Sequence, residues 1–382
     1  MDILTLPGSR ITEIGRLAFA TPDVDFLCFG ESDRNSPASA HSAAVAALGA
    51  GHTRYPDVRG LPELRHALAG YLTGLHANPV TEDRIQVVAS GMAAVTVALA
   101  AVLQPGQRVV MHGPAWPNIA NSARLRGCEP EVLSLIDLPE GGFRLDLDRL
   151  SEMLVGARVL LLNSPNNPTG WTATQQELQQ ILDLCRQHGV WVISDEVYSR
   201  LIYGPEQAAP SMLDVASPDD RVIVCNSFSK TWIMTGWRLG WLVVPAGMRD
   251  AFAELVEVTH SGVAPFIQHA GVAAVQDTQT VQEFRAFCAR GRELLGDALA
   301  GLNGIRYAPP DGAFYAFIGV EGLKDSVPLA KQLVLKHRVA VAPGVAFGAG
   351  GEGHLRICFA QSEGTMQRAM ERLRNGLREA RG

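Results

Sequence analysis

Lysine is scarce in this 382-residue chain, with four against 29 arginines. Lys324, Lys331 and Lys336 share one mixed polar and apolar stretch that reads as a surface helix. Lys230 stands apart, in Ser227-Phe228-Ser229-Lys230-Thr231. An amine with a lowered pKa forms a Schiff base with a carbonyl, whereas a guanidinium stays protonated and does not. Ser227 and Ser229 flank this lysine, and Arg238 follows eight residues on in Gly236-Trp237-Arg238-Leu239-Gly240. Hydroxyls and a guanidinium beside a lysine suit a phosphate group. A polar loop ahead of a strand accounts for the same residues without a ligand.

Other chemistry-bearing residues sit at the ends of apolar runs. Asp195 closes Val190–Asp195. A carboxylate there can keep a pyridine nitrogen protonated and turn the ring into an electron sink. It also fits a helix N-cap. Tyr198 can bond a ring hydroxyl. Asn163-Ser164-Pro165-Asn166-Asn167-Pro168-Thr169-Gly170 follows another run, and its prolines and glycine fix a tight turn that presents an Asn side chain. Ser90, Gly91 and Met92 join a strand to a helix, where free amides and the helix dipole make an anion site. A plain strand–helix turn reads the same way. Trp116, in Pro114-Ala115-Trp116-Pro117, stacks on an aromatic ligand or fills core. Gly348–Gly353 matches GxGxxG, but the dinucleotide fingerprint needs a strand before it and a helix after it. Here a strand follows, so the segment reads as a mobile loop.

The elements that must position these residues alternate. Strands are expected at Ile85–Ala89, Arg108–His112, Arg158–Asn163, Val190–Asp195, Val222–Asn226 and Leu239–Val244. Helices fall between them at Met92–Leu103, Asn118–Arg126 and Thr174–His188, the last with Thr174 as N-cap and Glu177 at capping-box spacing. This predicts an α/β fold: a mostly parallel sheet with helices on both faces, whose ligands bind beyond the carboxyl ends of the strands. After Val244 the pattern changes. Long helices are expected at Gly247–Gln276 and Thr280–Leu302, strands at Phe314–Val320, Val339–Ala342 and Leu355–Phe359, and helices near 327–337 and 363–380. This reads as a smaller α+β domain, joined by the N-terminal segment with Ser36–Leu48. The expected division is a large domain at 50–280 and a discontinuous small domain, 1–49 with 281–382.

Composition narrows the function classes. With 47% apolar and 19% charged residues the chain reads as a soluble globular protein. A net charge of −6 provides no basic field for nucleic acid or an anionic membrane. The six cysteines are scattered without a CxxC pair, which argues against a metal site or a disulfide framework and for a reducing cytoplasm. The first ten residues lack a secretory pattern, and the most apolar stretch, Val95–Leu103, is about half a membrane span.

Taken in order, FGESD (29–33), RYPDVRGLPELR (54–65), SGM (90–92), PAWPN (114–118), NNPTG (166–170), DEVY (195–198), SFSKTWIMTGWRLGW (227–241), PDGAFYAF (310–317) and LRICFA (355–360) resemble the class I/II aminotransferases. These are fold type I enzymes dependent on pyridoxal 5′-phosphate. The resemblance spans nearly the whole chain, and NNPTG, DEVY and SxSK with its distant Arg are specific together. It implies that Lys230 is the Schiff-base lysine and proton shuttle, and that Asp195 pairs with the pyridine nitrogen. Asn167 and Tyr198 would bond the ring oxygen and Trp116 would stack on the ring. Ser227, Arg238 and the turn at Ser90, Gly91 and Met92 would hold the phosphate. Arg356 would clamp the substrate α-carboxylate, with Gly30, Asn167 and Trp116 beside it. Tyr55 is similar to a tyrosine that reaches the phosphate from a partner subunit, which implies a homodimer.

The implied activity is amino transfer from an L-α-amino acid to a 2-oxo acid. The same residues fit other reactions of this cofactor: β-elimination, cyclisation, decarboxylation or racemisation. A non-catalytic regulator that binds the cofactor lacks support, since no DNA-reading module precedes residue 30. Ser32 departs from the family's usual Pro, and Ala93 stands where some aspartate-specific relatives place a lysine. Trp116, Phe314 and Phe266 suit an apolar or aromatic substrate, and core packing explains them as well.

Overall fold

Alternating apolar strands and amphipathic helices build a seven-stranded sheet in the computed structural model, which describes residues 6–380. Its strands are β1 (Ile85–Val88), β2 (Val109–Gly113), β3 (Pro130–Ser134), β4 (Val159–Asn163), β5 (Trp191–Asp195), β6 (Val222–Ser227) and β7 (Gly240–Val243). In space they run β1-β7-β6-β5-β4-β2-β3. The last five are mutually parallel, and β7 lies antiparallel between β6 and β1. Helices cover both faces, so strand residues of either parity are apolar. In β4, Leu160 and Leu162 enter a core with Leu178, Ile181 and Val224, while Val159 and Leu161 enter the opposite one with Leu99, Val109 and Ile193.

Register brings the functional ends level. Asn163 pairs with Asp195, and Asp195 with Cys225. Because β7 reverses, β1 runs parallel to β6, and the turn at Ser90 opens at the same edge. β7 starts at that edge with Gly240. A Cβ there would lie 2.8 Å from both Asn226 O and the Ser90 carbonyl carbon, so only glycine admits this approach. The helix Gln175–His188 carries the expected capping box, with Thr174 N donating to Glu177 Oε2 (2.8 Å) and Glu177 N to Thr174 Oγ1 (3.1 Å).

Three expectations are corrected. The single helix at Gly247–Gln276 is two, Arg249–His260 and Pro265–Gln276. Ser261 (φ 54°) and Gly262 (φ 89°) turn left-handed between them, and Pro265 starts the second. The strand at Val339–Ala342 is two short pieces. Val339–Ala340 pairs with Asp25–Phe26, and Ala342–Pro343 pairs with His354–Cys358. The segment at Ser36–Leu48 forms a helix, Ala38–Gly49, that packs on Pro265–Gln276 rather than with the smaller sheet. Its alanines allow close approach, and Ala40 and Ala44 share a core with Leu64, Leu68 and Ala270.

The smaller sheet has four strands in the order Ile305–Arg306, Tyr315–Val320, His354–Cys358, Ala342–Pro343. Ile14, Phe284, Leu295, Leu333 and Met366 pack its helices into one core with Phe317 and Ile357. Gly291 lies inside the helix Thr278–Leu299, where a Cβ would meet Phe359 O at 2.0 Å. Alanine ordinarily stabilises a helix interior by about 1 kcal/mol over glycine. Here overpacking wins, and Gly291→Ala is expected to destabilise by about 1–3 kcal/mol. Urea unfolding checks this, and a gain in stability would contradict the packing.

Candidate active site

The carboxyl edge of the large sheet and the smaller sheet enclose a cavity of about 440 Å³. The residues singled out above for a site role line it, except Ser90, Tyr55, Phe314 and Phe266. Ser90 is buried just behind, where its Oγ accepts from Ala93 N (3.0 Å) and caps the helix Gly91–Val102. That leaves the Gly91 and Met92 amides, at the positive end of the helix, beside the cavity. A Cβ on Gly91 would sit 3.0 Å from Val197 Cγ1 and 3.3 Å from Ser227 Cβ. Tyr55 is 92% exposed and contributes nothing to the cavity of a single chain. Phe314 is buried core, and Phe266 lines a neighbouring depression with Trp237.

Lys230 follows the end of β6 on a one-turn helix, Phe228–Thr231. Its Nζ donates to Gly30 O at 2.7 Å and lies 5.8 Å from the Tyr198 ring centroid. The side chain keeps some exposure toward the cavity, yet desolvation dominates and pushes its pKa down to about 8. Arg356 and Arg238 act the same way, and Glu31 opposes them. Gly30 has no room for a side chain, since a Cβ would overlap Tyr315 Oη at 2.1 Å. The same hydroxyl meets Tyr198 Oη at 2.8 Å.

Asp195 is buried, and the one side-chain bond found for it is a long one from Val197 N (3.3 Å). Desolvation therefore raises its pKa to about 7, against the weak pull of Lys230. Arg356 is 2% exposed and bonds only neutral acceptors, Asn167 Oδ1 at 2.9 Å and Cys28 O at 2.5 Å. Its Nε is buried with no partner. The guanidinium packs over the Tyr315 ring at 4.4 Å. Ser227 Oγ donates to Ser229 Oγ (2.9 Å), and Arg238 stands near the mouth in a left-handed conformation (φ 56°), donating to Thr235 O.

These features fit pyridoxal 5′-phosphate. Asp195 lacks the cation that a protonated ring nitrogen provides. Gly91, Met92, Ser227 and Arg238 supply the donors a phosphate needs. Arg356 keeps a buried charge and a free Nε for a carboxylate. The volume falls in the usual range for small-ligand pockets, roughly 300–1,000 Å³.

Several lining or supporting residues escaped sequence reasoning. Asn163 Oδ1 accepts from Asn167 N (3.0 Å) and Asn166 Nδ2 (3.2 Å), and its Nδ2 donates to Asp195 O (3.1 Å). His112, the polar residue of β2, accepts from Asn163 N through Nε2 at 3.0 Å. Its Nδ1 is buried without a partner. For His112 the available signal was a polar residue inside an apolar strand, and Asn163 stood at the head of the quoted turn without a role of its own. Tyr315 stood inside the PDGAFYAF match. Phe29 and Glu31 stood inside the FGESD match, and Ile11 and Ile119 line the cavity and carried no local signal.

The family profile "Aminotransferase class I and II" matches residues 25–373. The chain is 32% identical to an aspartate aminotransferase of Pyrococcus horikoshii, covering 98% of this chain and 96% of the relative. It is also 32% identical to aromatic-amino-acid aminotransferase 2 of Thermococcus litoralis, covering 97% and 96%. The solved structure of an aromatic aminotransferase from Pyrococcus horikoshii superposes with a TM-score of 0.88 at 33% identity, over 96% of this chain and 99% of that one.

His112 generates a pH dependence. Burial lowers its pKa from 6.5 to about 4. As pH falls, the unfolded chain takes up this proton first, so stability present above pH 6.5 is lost as pH drops toward 4. The shift corresponds to on the order of 3 kcal/mol. Urea unfolding of His112→Gln is expected to show a shallower fall in stability across that window than the unsubstituted protein. Parallel curves would contradict this.

Proposed function

We propose, from the premise that this chain belongs to the class I and II aminotransferases and so works with pyridoxal 5′-phosphate, that Lys230 is its catalytic lysine and Arg356 its α-carboxylate clamp. The observation that carries this reading is that Lys230, Asp195 and Arg356 face one cavity, each hydrogen-bonded only to neutral groups. The enzyme moves an amino group from an L-α-amino acid to a 2-oxo acid.

When bound, the cofactor supplies an electron sink for the charge left as a substrate Cα–H bond breaks. Asp195 would keep a proton on the ring nitrogen, its own carboxylate being ionised beside that positive charge. Tyr198 Oη and Asn167 Nδ2 hold the ring oxygen, Asn167 Oδ1 being engaged with Arg356. Trp116 covers a ring face. The Gly91 and Met92 amides, Ser227 and Arg238 hold the phosphate, and Ser90 holds that turn in place. Arg356 takes the substrate α-carboxylate in a two-point grip and so fixes which Cα bond stands over the reacting face. Lys230 Nζ, with a pKa of about 8, has an appreciable unprotonated fraction near neutral pH and takes the Cα proton.

Tyr55 and Val258 are large side chains left 92% and 87% exposed on the single chain, which supports a homodimer in which Tyr55 serves the partner's site. Scattered, buried free cysteines support a cytoplasmic location. Among the described residues no helix is long and apolar enough to cross a membrane. The division into a large domain at 50–280 and a small one, 1–49 with 281–382, stays our reading, with helix Ala38–Gly49 reassigned to the large part.

Holoenzyme mixed with one reactive amino acid and no oxo acid is expected to release one oxo acid per site and stop, then resume when a second oxo acid is added. Sustained release of ammonia or CO2 would contradict transamination. Lys230→Ala is expected to lower kcat by about 100- to 10,000-fold, the usual worth of general acid–base help. Arg356→Lys loses the planar two-point grip, and kcat/KM for all amino acids is expected to fall about 10- to 100-fold. Unchanged steady-state kinetics in either variant would remove that residue from its role.

A further inference from the structure

Two phenols meet in the cavity wall, and the proposed function gives a task to only one of them. Tyr198 lies just past the end of β5, and Tyr315 opens the strand Tyr315–Val320 of the smaller sheet. Their hydroxyl oxygens are 2.8 Å apart, and their rings meet edge to face at 5.6 Å. Tyr198 is 3% exposed and Tyr315 1%, so the contact is complete within one chain, whatever a partner subunit adds at the mouth. Among the described residues, each hydroxyl has the other as its one hydrogen-bond partner.

A phenol has one proton to donate. Burial raises the pKa of both, so both keep that proton. One proton lies between the two oxygens, and the other is left over. The surrounding charges decide which. The Arg356 guanidinium packs on the Tyr315 ring at 4.4 Å and opposes the rise in its pKa. The same guanidinium also lowers Tyr198, but there Asp195 counters it. A phenol beside a cation is the better donor, and one beside an anion the better acceptor. The Tyr315 hydroxyl has little else to turn to. The Gly30 backbone abuts it, since a Cβ there would lie 2.1 Å from Tyr315 Oη, and Gly30 O already accepts from Lys230 Nζ at 2.7 Å.

We propose that Tyr315 is a positioning residue of the reaction: its hydroxyl donates to Tyr198 Oη and so turns the Tyr198 proton into the cavity, onto the ring oxygen of the cofactor. This rests on Tyr198 holding that oxygen. A hydroxyl that accepts one hydrogen bond donates a stronger one, so Tyr315 reinforces the contact through Tyr198.

The test is a pH titration of the holoenzyme's visible absorption, which changes as the cofactor's linkage to Lys230 takes up a proton. A ring oxygen eased of part of its negative charge by Tyr198 holds a proton at that linkage less strongly. Tyr315→Phe keeps the ring beneath Arg356 and removes the hydroxyl. It is expected to move the midpoint up by about 0.4 to 1 pH unit, the worth of one hydrogen bond. In a Tyr198→Phe background it is expected to add no shift. An unmoved midpoint in Tyr315→Phe, or an equal shift in both backgrounds, would overturn the inference. Binding of 4-methylpentanoate, an unreactive carboxylate, is expected to stay within about twofold, because Arg356 keeps its aromatic face. Loss of that binding along with the shift would mean that the hydroxyl supports the whole site rather than Tyr198, which also contradicts the proposal. No shift in Tyr198→Phe alone would remove Tyr198 from the ring oxygen, and the inference with it. Should Tyr315→Phe fail to take up the cofactor, 3-fluorotyrosine placed at position 315 decides. It keeps the shape and is the stronger donor, so the midpoint is expected to move down, and a midpoint that stays in place would sink the proposal.

Discussion

Three ionisable groups are held in one cavity without pairing to each other, and the rest of the site depends on that separation. Lys230 bonds a backbone carbonyl, Asp195 a backbone amide, and Arg356 an amide oxygen and a carbonyl. Burying charges in this way costs several kcal/mol per ion unless a partner arrives. The two groups that can neutralise have moved toward doing so, the lysine down to about 8 and the aspartate up to about 7. Arg356 cannot follow, since a guanidinium stays protonated. On the proposed reading, a ring cation beside Asp195 and a carboxylate beside Arg356 would relieve these penalties on binding. The site is thus preorganised for a ligand carrying both kinds of charge.

The fold keeps the three apart through strand ends. Asp195 and Lys230 follow adjacent parallel strands, and Arg356 comes from the antiparallel sheet facing them. One line of hydrogen bonds joins the two sheets. It runs from His112 to the Asn163 backbone, from Asn163 Oδ1 to the Asn167 amide, and from Asn167 Oδ1 to Arg356. Glycines set the close approaches. Gly240 lets β7 touch the Ser90 turn, and Gly30 lets Tyr315 reach Tyr198. Gly344 and Gly351 pack backbone against backbone, which fixes how the GxGxxG-like segment lies against the smaller sheet. That segment serves packing.

Much of this was legible in the sequence because local rules and tertiary demands agree over the large sheet. Strands at Val159–Asn163 and Trp191–Asp195 carry unbroken apolar runs, and Thr174 with Glu177 marks a helix start. Motif order then brought Lys230, Asp195, Asn167 and Arg356 together before any contact was known. Reading failed where long-range packing decides. The partner of helix Ala38–Gly49 depends on how closely two helices approach, which its alanines permit but do not specify. The break at Ser261 and Gly262 lies in an otherwise helical pattern. Ile11 reaches the cavity because the N-terminal helix Arg10–Phe19 packs over the smaller domain, and no local pattern announces that.

The central claim is that this cavity binds pyridoxal 5′-phosphate through Lys230. Borohydride reduction of the holoenzyme, followed by peptide mapping, tests it directly. The account predicts one pyridoxyl phosphate group per chain, on the peptide containing Lys230 and on none containing Lys324, Lys331 or Lys336. Active protein with the label on another lysine, or with Lys230 unmodified after reduction, would contradict it.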